Sequence, residues 1–464
     1  MYACLSCSRN TIGACLAIMV ITAALAPLRA GEPAPTFKNP VVFPTTGCNP
    51  YGIADGDLNN DGYPDIAVAN MGPAGAGLGG GGLCARPSGG CAFDPNSCID
   101  GSVTVFINSG DWKPVSDGFP ASGIVDLSMA GLCEGGDCTA REVAIACING
   151  DILPDVIVTA AEGYVLVFKN TPSNPGTFQA ADVYPLRVHD VLREANGLIV
   201  SDLNLDGYND VAVAACDGPV VLTLMNDQSG GFQAPSEIDL TGVAAPAFDL
   251  VSGKFDGGVQ TGPDLVVGTI LDNSITIMSN DGFGNFSINT KIGPVDDPWG
   301  FEALARGRFN GDSNPDVVFT ERLFDVADIF RGDGQGDFTH SRLDFNHDAL
   351  DRYVLHPDDP NAFCFGVDTG QLNGGLKRDF AAAIQHRDEV SIQVGNGDGT
   401  FDRNLAVRFS VEPPAAPANE ACNPIHLVIV DLDKDGQQDI VTSNRDSNNI
   451  SVLINKLGLL NVGP

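Results

Sequence analysis

The nine residues 57–65, DLNNDGYPD, with the apolar run IAVAN after them, constrain this chain more than any other stretch. Asp57, Asn59, Asp61 and Asp65 stand at positions 1, 3, 5 and 9 of a loop, with Gly62 at position 6. Oxygen donors at alternate positions turn toward one centre, the set a hard cation such as calcium takes, and glycine permits the sharp turn. A calcium-binding helix–loop–helix would carry a bidentate Glu at position 12, but that residue is Val68 and an apolar strand runs on. The loop therefore joins two strands of a hairpin. An Asp/Asn turn that only bonds its own backbone is the rival. Carboxylates packed this closely repel one another without a cation, which weighs against it.

The loop recurs. It appears as CINGDILPD at 147–155, DLNLDGYND at 202–210, KFDGGVQTGPD at 254–264, RFNGDSNPD at 308–316, QLNGGLKRD at 371–379 and DLDKDGQQD at 431–439. The copies starting at 57, 202 and 431 are complete. In the others Cys147, Arg308 and Gln371 replace the first Asp, and 254–264 is two residues longer and poor in carboxylates. From 147 onward the starts lie 52 to 63 residues apart, a period that fits one four-stranded unit per repeat.

Every unit keeps one order: a strand into the loop (GLIVSDL), a strand out (DVAVA) and a third strand (VVLTLMN). A Gly-rich turn ending in Phe follows (NPGTF at 174–178, GDGTF at 397–401), and then a fourth strand. Alternating apolar residues favour β, and no long 3.6-residue period competes. The seventh unit stops near Lys456 without its Gly–Phe turn and fourth strand, whereas APTFKNPVVFPT near the N-terminus supplies both. The first segment is expected to pair with the last unit and close a ring, which removes exposed sheet edges.

These loops and their order resemble the FG-GAP/VCBS repeats of bacterial secreted proteins and of the integrin α-chain N-terminal domain. The resemblance covers nearly all of 36–456 and implies an all-β fold, a seven-bladed β-propeller with four-stranded blades. One domain then fills 31–464, with long insertions at 71–101, 111–141 and 339–366, expected at the mouth opposite the loops. The family implies calcium at about three sites, with a structural role. The first is held by Asp57, Asn59, Asp61, Asp65 and the Tyr63 carbonyl, the second by Asp202, Asn204, Asp206, Asp210 and the Tyr208 carbonyl. The third is held by Asp431, Asp433, Asp435, Asp439 and the Gln437 carbonyl. Arg308 is expected to stand in for a metal by bridging Asp312 and Asp316. Cys48 and Cys422 each lie nine residues before a loop in blades that meet at the ring closure, so a disulfide between them is expected.

With 25 basic and 59 acidic residues the net charge is −34, which argues against nucleic-acid binding. Arg9, the apolar run Ile12–Ala26 and small residues up to Ala30 read as an export signal cleaved near Ala30. That run is short for a membrane span, and no other stretch is long enough. The ten cysteines beyond it read as disulfides in an oxidising compartment, without the CxxC pairs of a zinc site.

A secreted or cell-surface calcium-binding module is the expectation, for adhesion or for interaction with an extracellular protein or polysaccharide. The alternative is a polysaccharide lyase or sugar dehydratase-type enzyme built on the propeller. An enzyme would need His, Tyr, Arg or Lys clustered at the mouth. His340, His347, Arg352, Tyr353 and His356, in one insertion, are the best local candidates. No HExxH, GxSxG or phosphate-binding loop appears, so the non-enzymatic reading is favoured. Arg331-Gly332-Asp333 resembles an adhesion tripeptide but falls in a Gly-rich turn that its Gly and Asp serve. Oligomeric state is left open.

Overall fold

The computed structural model describes residues 34–456 except 73–100, 111–118, 120–122, 137, 258–261, 294–299, 322–325, 340–351, 355–362, 402–406 and 414–421. Among the described residues its regular structure is seven antiparallel blades in succession, with a small two-stranded hairpin, Arg187–Val188 and Val191–Leu192, between the second and third and a short 3-10 turn at Gln385–Arg387 in the sixth. The first blade runs Pro50–Gly56, Asp65–Asn70, Ser102–Phe106 and Ile124–Ser128, each strand beside the next. The second is Ala140–Ala146, Asp155–Ala160, Tyr164–Phe168 and Asp182–Pro185. The third is Ala195–Ser201, Asp210–Ala215, Val220–Leu224 and Ser236–Asp239, and the fourth Ala247–Gly253, Asp264–Thr269, Ser274–Asn280 and Phe286–Ile292. The fifth is Phe301–Gly307, Asp316–Glu321 and Val326–Gly332, with an outer edge in two pieces, Phe338–Thr339 and Arg352–Val354. The sixth is Cys364–Gly370, Asp379–Ile384, Glu389–Gln393 and Val407–Ser410.

The seventh blade closes the ring as expected. Pro424–Val430, Asp439–Asn444 and Asn449–Leu453 take Val41–Pro44 as their outer strand, with Val41 opposite Val452 and Pro44 opposite Asn449. Phe37 bridges Asn455, where the other units place the Phe of their Gly–Phe turn. First strands of neighbouring blades touch all the way round and line the axis. Every residue of the seven second strands is buried, because a blade lies against each face. That double burial is why DIAVAN and DVAVAA read as nearly continuous apolar runs.

Each loop's last Asp is the latch of its blade. Asp65, Asp155, Asp210, Asp264, Asp316, Asp379 and Asp439 are all fully buried. One oxygen of each accepts the N–H of the residue after position one, as Asp65 does from Leu58 at 2.7 Å and Asp316 from Phe309 at 2.6 Å. The other accepts an N–H at the end of the third strand, from Asn108 at 2.7 Å and Gly332 at 3.0 Å in the same two blades. Charge-assisted bonds of this kind are the strong ones, and a buried carboxylate without them is expensive.

A second bond seals each blade to the one before it. Asn170 Nδ2 donates to the Leu58 carbonyl at 2.7 Å, and Asn108 Nδ2 donates to Leu432 across the closure at 2.9 Å. Asn226, Asn280 and Asn455 do the same to Ile148, Leu203 and Leu372. In the fifth and sixth blades that Asn is Gly332 or Gly395, and the Gly336 and Gly399 N–H groups reach Phe255 and Phe309 instead. A Cβ at Gly332 would sit 2.2 Å from the Pro315 carbonyl oxygen, so this tripeptide is built for the blade.

Two expectations about the periphery are corrected. The segment 111–141 is not all insertion: Ile124–Ser128 pairs with Ser102–Phe106 as the first blade's outer strand. Nor do Cys48 and Cys422 pair, since Cys48 is in a disulfide while Cys422 is a buried thiol. The Cys422 sulfur lies beside the Asp388 and Glu412 carboxylates, at the sixth blade rather than the first. Cys147 and Cys364 are thiols too, whereas Cys133 and Cys138 are disulfide-bonded with Cα atoms 5.4 Å apart.

Candidate functional site

The three complete loops share a shape that the degenerate ones lack. Asp57 accepts the Asp61 N–H at 3.0 Å and the Gly62 N–H at 2.8 Å. Asp202 accepts from Asp206 and Gly207, both at 3.0 Å, and Asp431 accepts from Gly436 at 3.0 Å. Turning the sixth N–H inward needs a left-handed residue, and Gly62, Gly207 and Gly436 have φ of 90°, 91° and 87°. Asn59 and Asn204 accept the N–H of Asp61 and Asp206, and those two accept from Tyr63 and Tyr208. Asp435 accepts from Gln437 at 2.8 Å.

The seventh loop is the most sharply drawn. Asp431, Asp433 and Asp439 each bring an oxygen within 4.8 Å of the others, and the buried Asp431 Oδ1 has no hydrogen-bond partner. Burial first, then the charges of Asp433 and Asp435, push Asp439 up to about 8 against the pull of backbone N–H groups. Asp65 is pushed to about 7 by burial, with Asp61 and Asp57 adding to it. Crowded all-oxygen donors and an orphaned buried oxygen fit a hard divalent cation.

Arg308 does not bridge Asp312 and Asp316. Both Asp316 oxygens are taken by the latch, and Asp312 accepts the Asn314 N–H and Asn310 Nδ2. Arg308 instead lines a cavity on the loop face. Of the insertion candidates, Arg352 and Tyr353 lie on a strand paired with Val326–Gly332, and His340, His347 and His356 fall outside the described residues.

A polar cluster that the sequence reading missed sits on the axis. It is built near the starts of the first strands, away from the acidic loops. His426 Nε2 lies 3.5 Å from Glu142 Oε1, the Tyr51 and His426 rings are 4.8 Å apart, and the Arg141 guanidinium sits 5.7 Å from the Tyr51 ring centre. Glycines make the room: a Cβ on Gly52 would come within 2.7 Å of Glu142 Oε2, and one on Gly197 within 3.0 Å of Asp249 Oδ1. Burial pushes Glu142 to about 7, opposed by Arg141, and burial with the Glu142 charge pushes Asp249 to about 7. Burial holds His426 down to about 4, with Asp249 opposing. Tyr51 is pushed up by burial and by Glu302. The groups come one or two at a time from the first, second, fourth, fifth and seventh blades, so no local spacing reveals them. The available signal was an ionisable residue inside an apolar first strand, as in AREVAIA, AFDLVSG, FEALARG and PIHLVIV.

No family model matches this chain, and no curated protein matches it. Among solved structures it is similar to virginiamycin B lyase from Staphylococcus aureus, at 12% identity and a TM-score of 0.53, covering 90% of this chain and 99% of the lyase. It is also similar to BBS1N in complex with ARL6DN, at 13% identity and a TM-score of 0.53, covering 90% and 96%. Identities this low show the propeller fold. Among the described residues no helix is long and apolar enough to cross a membrane.

Proposed function

We propose that this chain is a secreted, calcium-held propeller of the FG-GAP/VCBS type that binds an extracellular polysaccharide or protein at its axial mouth. Residues 1–30 serve as the export signal, and three loops hold calcium through the ligands assigned above. The convergence of Asp431, Asp433 and Asp439 supports the metal. The axial cluster carries the ligand site, because it sets an aromatic ring, a cation, carboxylates and an imidazole side by side. Carboxylates, a guanidinium and an imidazole gathered at one mouth offer hydrogen-bond partners for sugar hydroxyls, so polysaccharide is the favoured class.

The same cluster supports a second reading, the lyase or dehydratase-type enzyme. A neutral His426 beside Tyr51 and Glu142 has the parts of a proton-transfer site. One experiment separates them: the purified protein is incubated with a panel of neutral and acidic polysaccharides while binding and product release are followed together. Saturable binding without product, weakened in Arg141→Gln, supports the module. Product formation abolished in His426→Ala supports the enzyme. Binding left unchanged by both substitutions removes the axial site.

A further inference from the structure

Three of the degenerate loops, the fourth to the sixth, bring cations to the loop face where the complete ones gather carboxylates. A cavity of about 650 Å³ opens on the loop face across the fourth to sixth blades, lined by Lys254, Arg306, Arg308 and Arg378 with Ser313 and Asn314. Four of the chain's 25 basic residues thus meet at one place in a protein of net charge −34. Among the described residues, no carboxylate lines it. Lys254 and Arg308 stand at position one of their loops, where Asp57, Asp202 and Asp431 stand in theirs.

Each cation is fixed by the ring. Lys254 follows Ala247–Gly253 directly, Arg306 lies on Phe301–Gly307 with Arg308 just beyond it, and Arg378 immediately precedes Asp379–Ile384. Arg306 donates to the Ser252 carbonyl at 2.6 Å and Arg378 to the Thr369 carbonyl at 3.3 Å, bonds that orient the guanidiniums without neutralising them. Arg308 makes no ion pair among the described residues, and its nearest candidate acids, Asp312 and Asp316, are engaged elsewhere. Partial desolvation, then the charges of Arg308 and Arg378, hold Arg306 below its usual value. Like charges held together this way repel until an anion enters, and guanidiniums suit the paired oxygens of a sulfate or phosphate. The volume is that of a small-molecule site rather than of a lone ion.

We propose that this cavity binds a saccharide bearing a sulfate or phosphate ester, at a site separate from both the acidic loops and the axial cluster. The cations are prepositioned by strands, so little side-chain entropy is lost on binding.

The test is calorimetric titration of the purified protein at low salt with four probes: a sulfated disaccharide, its unsulfated parent, a sugar phosphate and inorganic sulfate. Both charged sugars should bind at least about tenfold more tightly than the neutral parent and than inorganic sulfate, and raising NaCl to about 0.5 M should weaken them by about tenfold. The stronger of the two charged sugars identifies the source of the oxyanion. Arg308→Asp restores the residue the complete loops carry at that position and is expected to fold. Arg308→Gln removes the charge alone. Both should weaken binding by about tenfold with the melting temperature unchanged, and Lys254→Gln by less. Neutral and charged sugars binding alike, inorganic sulfate matching the sugars, affinity within about twofold of wild type in both Arg308 variants, or no heat from any anion would each overturn the proposal.

Discussion

The seventh and fifth loops stand on the same face of the ring and share a hinge, yet only one of them gathers carboxylates. Both end in a fully buried Asp, Asp439 or Asp316, whose two oxygens each take a backbone N–H. Both bury their second residue, Leu432 or Phe309, against the next blade. They part at position one, Asp431 against Arg308, and at position six, Gly436 against Ser313. The two differences have one cause. Without a carboxylate at position one nothing draws the sixth N–H inward, so no left-handed glycine is needed there. Position four is left-handed in both kinds of loop, with φ of 59°, 59° and 58° at Asn60, Leu205 and Lys434 and of 75°, 77° and 74° at Gly150, Gly311 and Gly374, so position six alone marks the difference. The repeat thus carries two separable layers, a latch kept in all seven blades and, in three of them, the oxygen-donor set that we propose holds a cation.

The contrast breaks most visibly if the latch is not common to both kinds of loop. Asp316→Ala, measured by urea denaturation with a chelator present, should destabilise the chain by roughly 3 kcal/mol, because two charge-assisted bonds are lost and two buried N–H groups are left unpaired. Asp65→Ala should lose a similar amount under the same conditions. A loss in Asp316→Ala below about 1 kcal/mol would mean that the degenerate loops have given up the latch as well.

A smaller effect serves as the control, because it arises at the other end of the shaft. Glu142 and Asp249 are raised to about 7 in the folded chain and His426 is lowered to about 4 from 6.5. The stability contributed by the two carboxylates is fully present below their unfolded values near 4 and is lost as pH rises through about 7. His426 acts with the opposite sign, favouring the fold as pH rises from about 4 to 6.5. Above pH 6.5 only the carboxylates remain, facing Tyr51, Arg141 and Glu302. In excess calcium the melting temperature should therefore fall from about pH 6.5 to about pH 8, less steeply in Asp249→Asn. Parallel curves for wild type and variant would remove Asp249 from that account.

Much of the ring was legible because its signals are local. Nine-residue loops, period-two strands and a terminal Phe37 that completes the last unit can all be found by reading along the chain. The outer strand Ile124–Ser128 was not, since five residues between Gly- and Cys-rich segments look like more loop. The axial cluster was invisible for a different reason. Tyr51, Glu142, Asp249 and His426 meet only because the ring closes, and each stands in a different strand. Arg308 misled through its neighbours: Asp312 and Asp316 look available in sequence, but backbone N–H groups and Asn310 had already claimed them. The Cys48–Cys422 expectation failed similarly, because adjacency of blades does not say which neighbour a thiol faces.

The most direct test of the two-layer repeat is a calcium titration of the metal-stripped protein, with bound ions counted at saturation. Three per chain are expected, falling to two in Asp57→Asn and staying at three in Asp316→Asn wherever that variant folds. No binding at millimolar calcium, or about one ion for each of the seven loops, would contradict it.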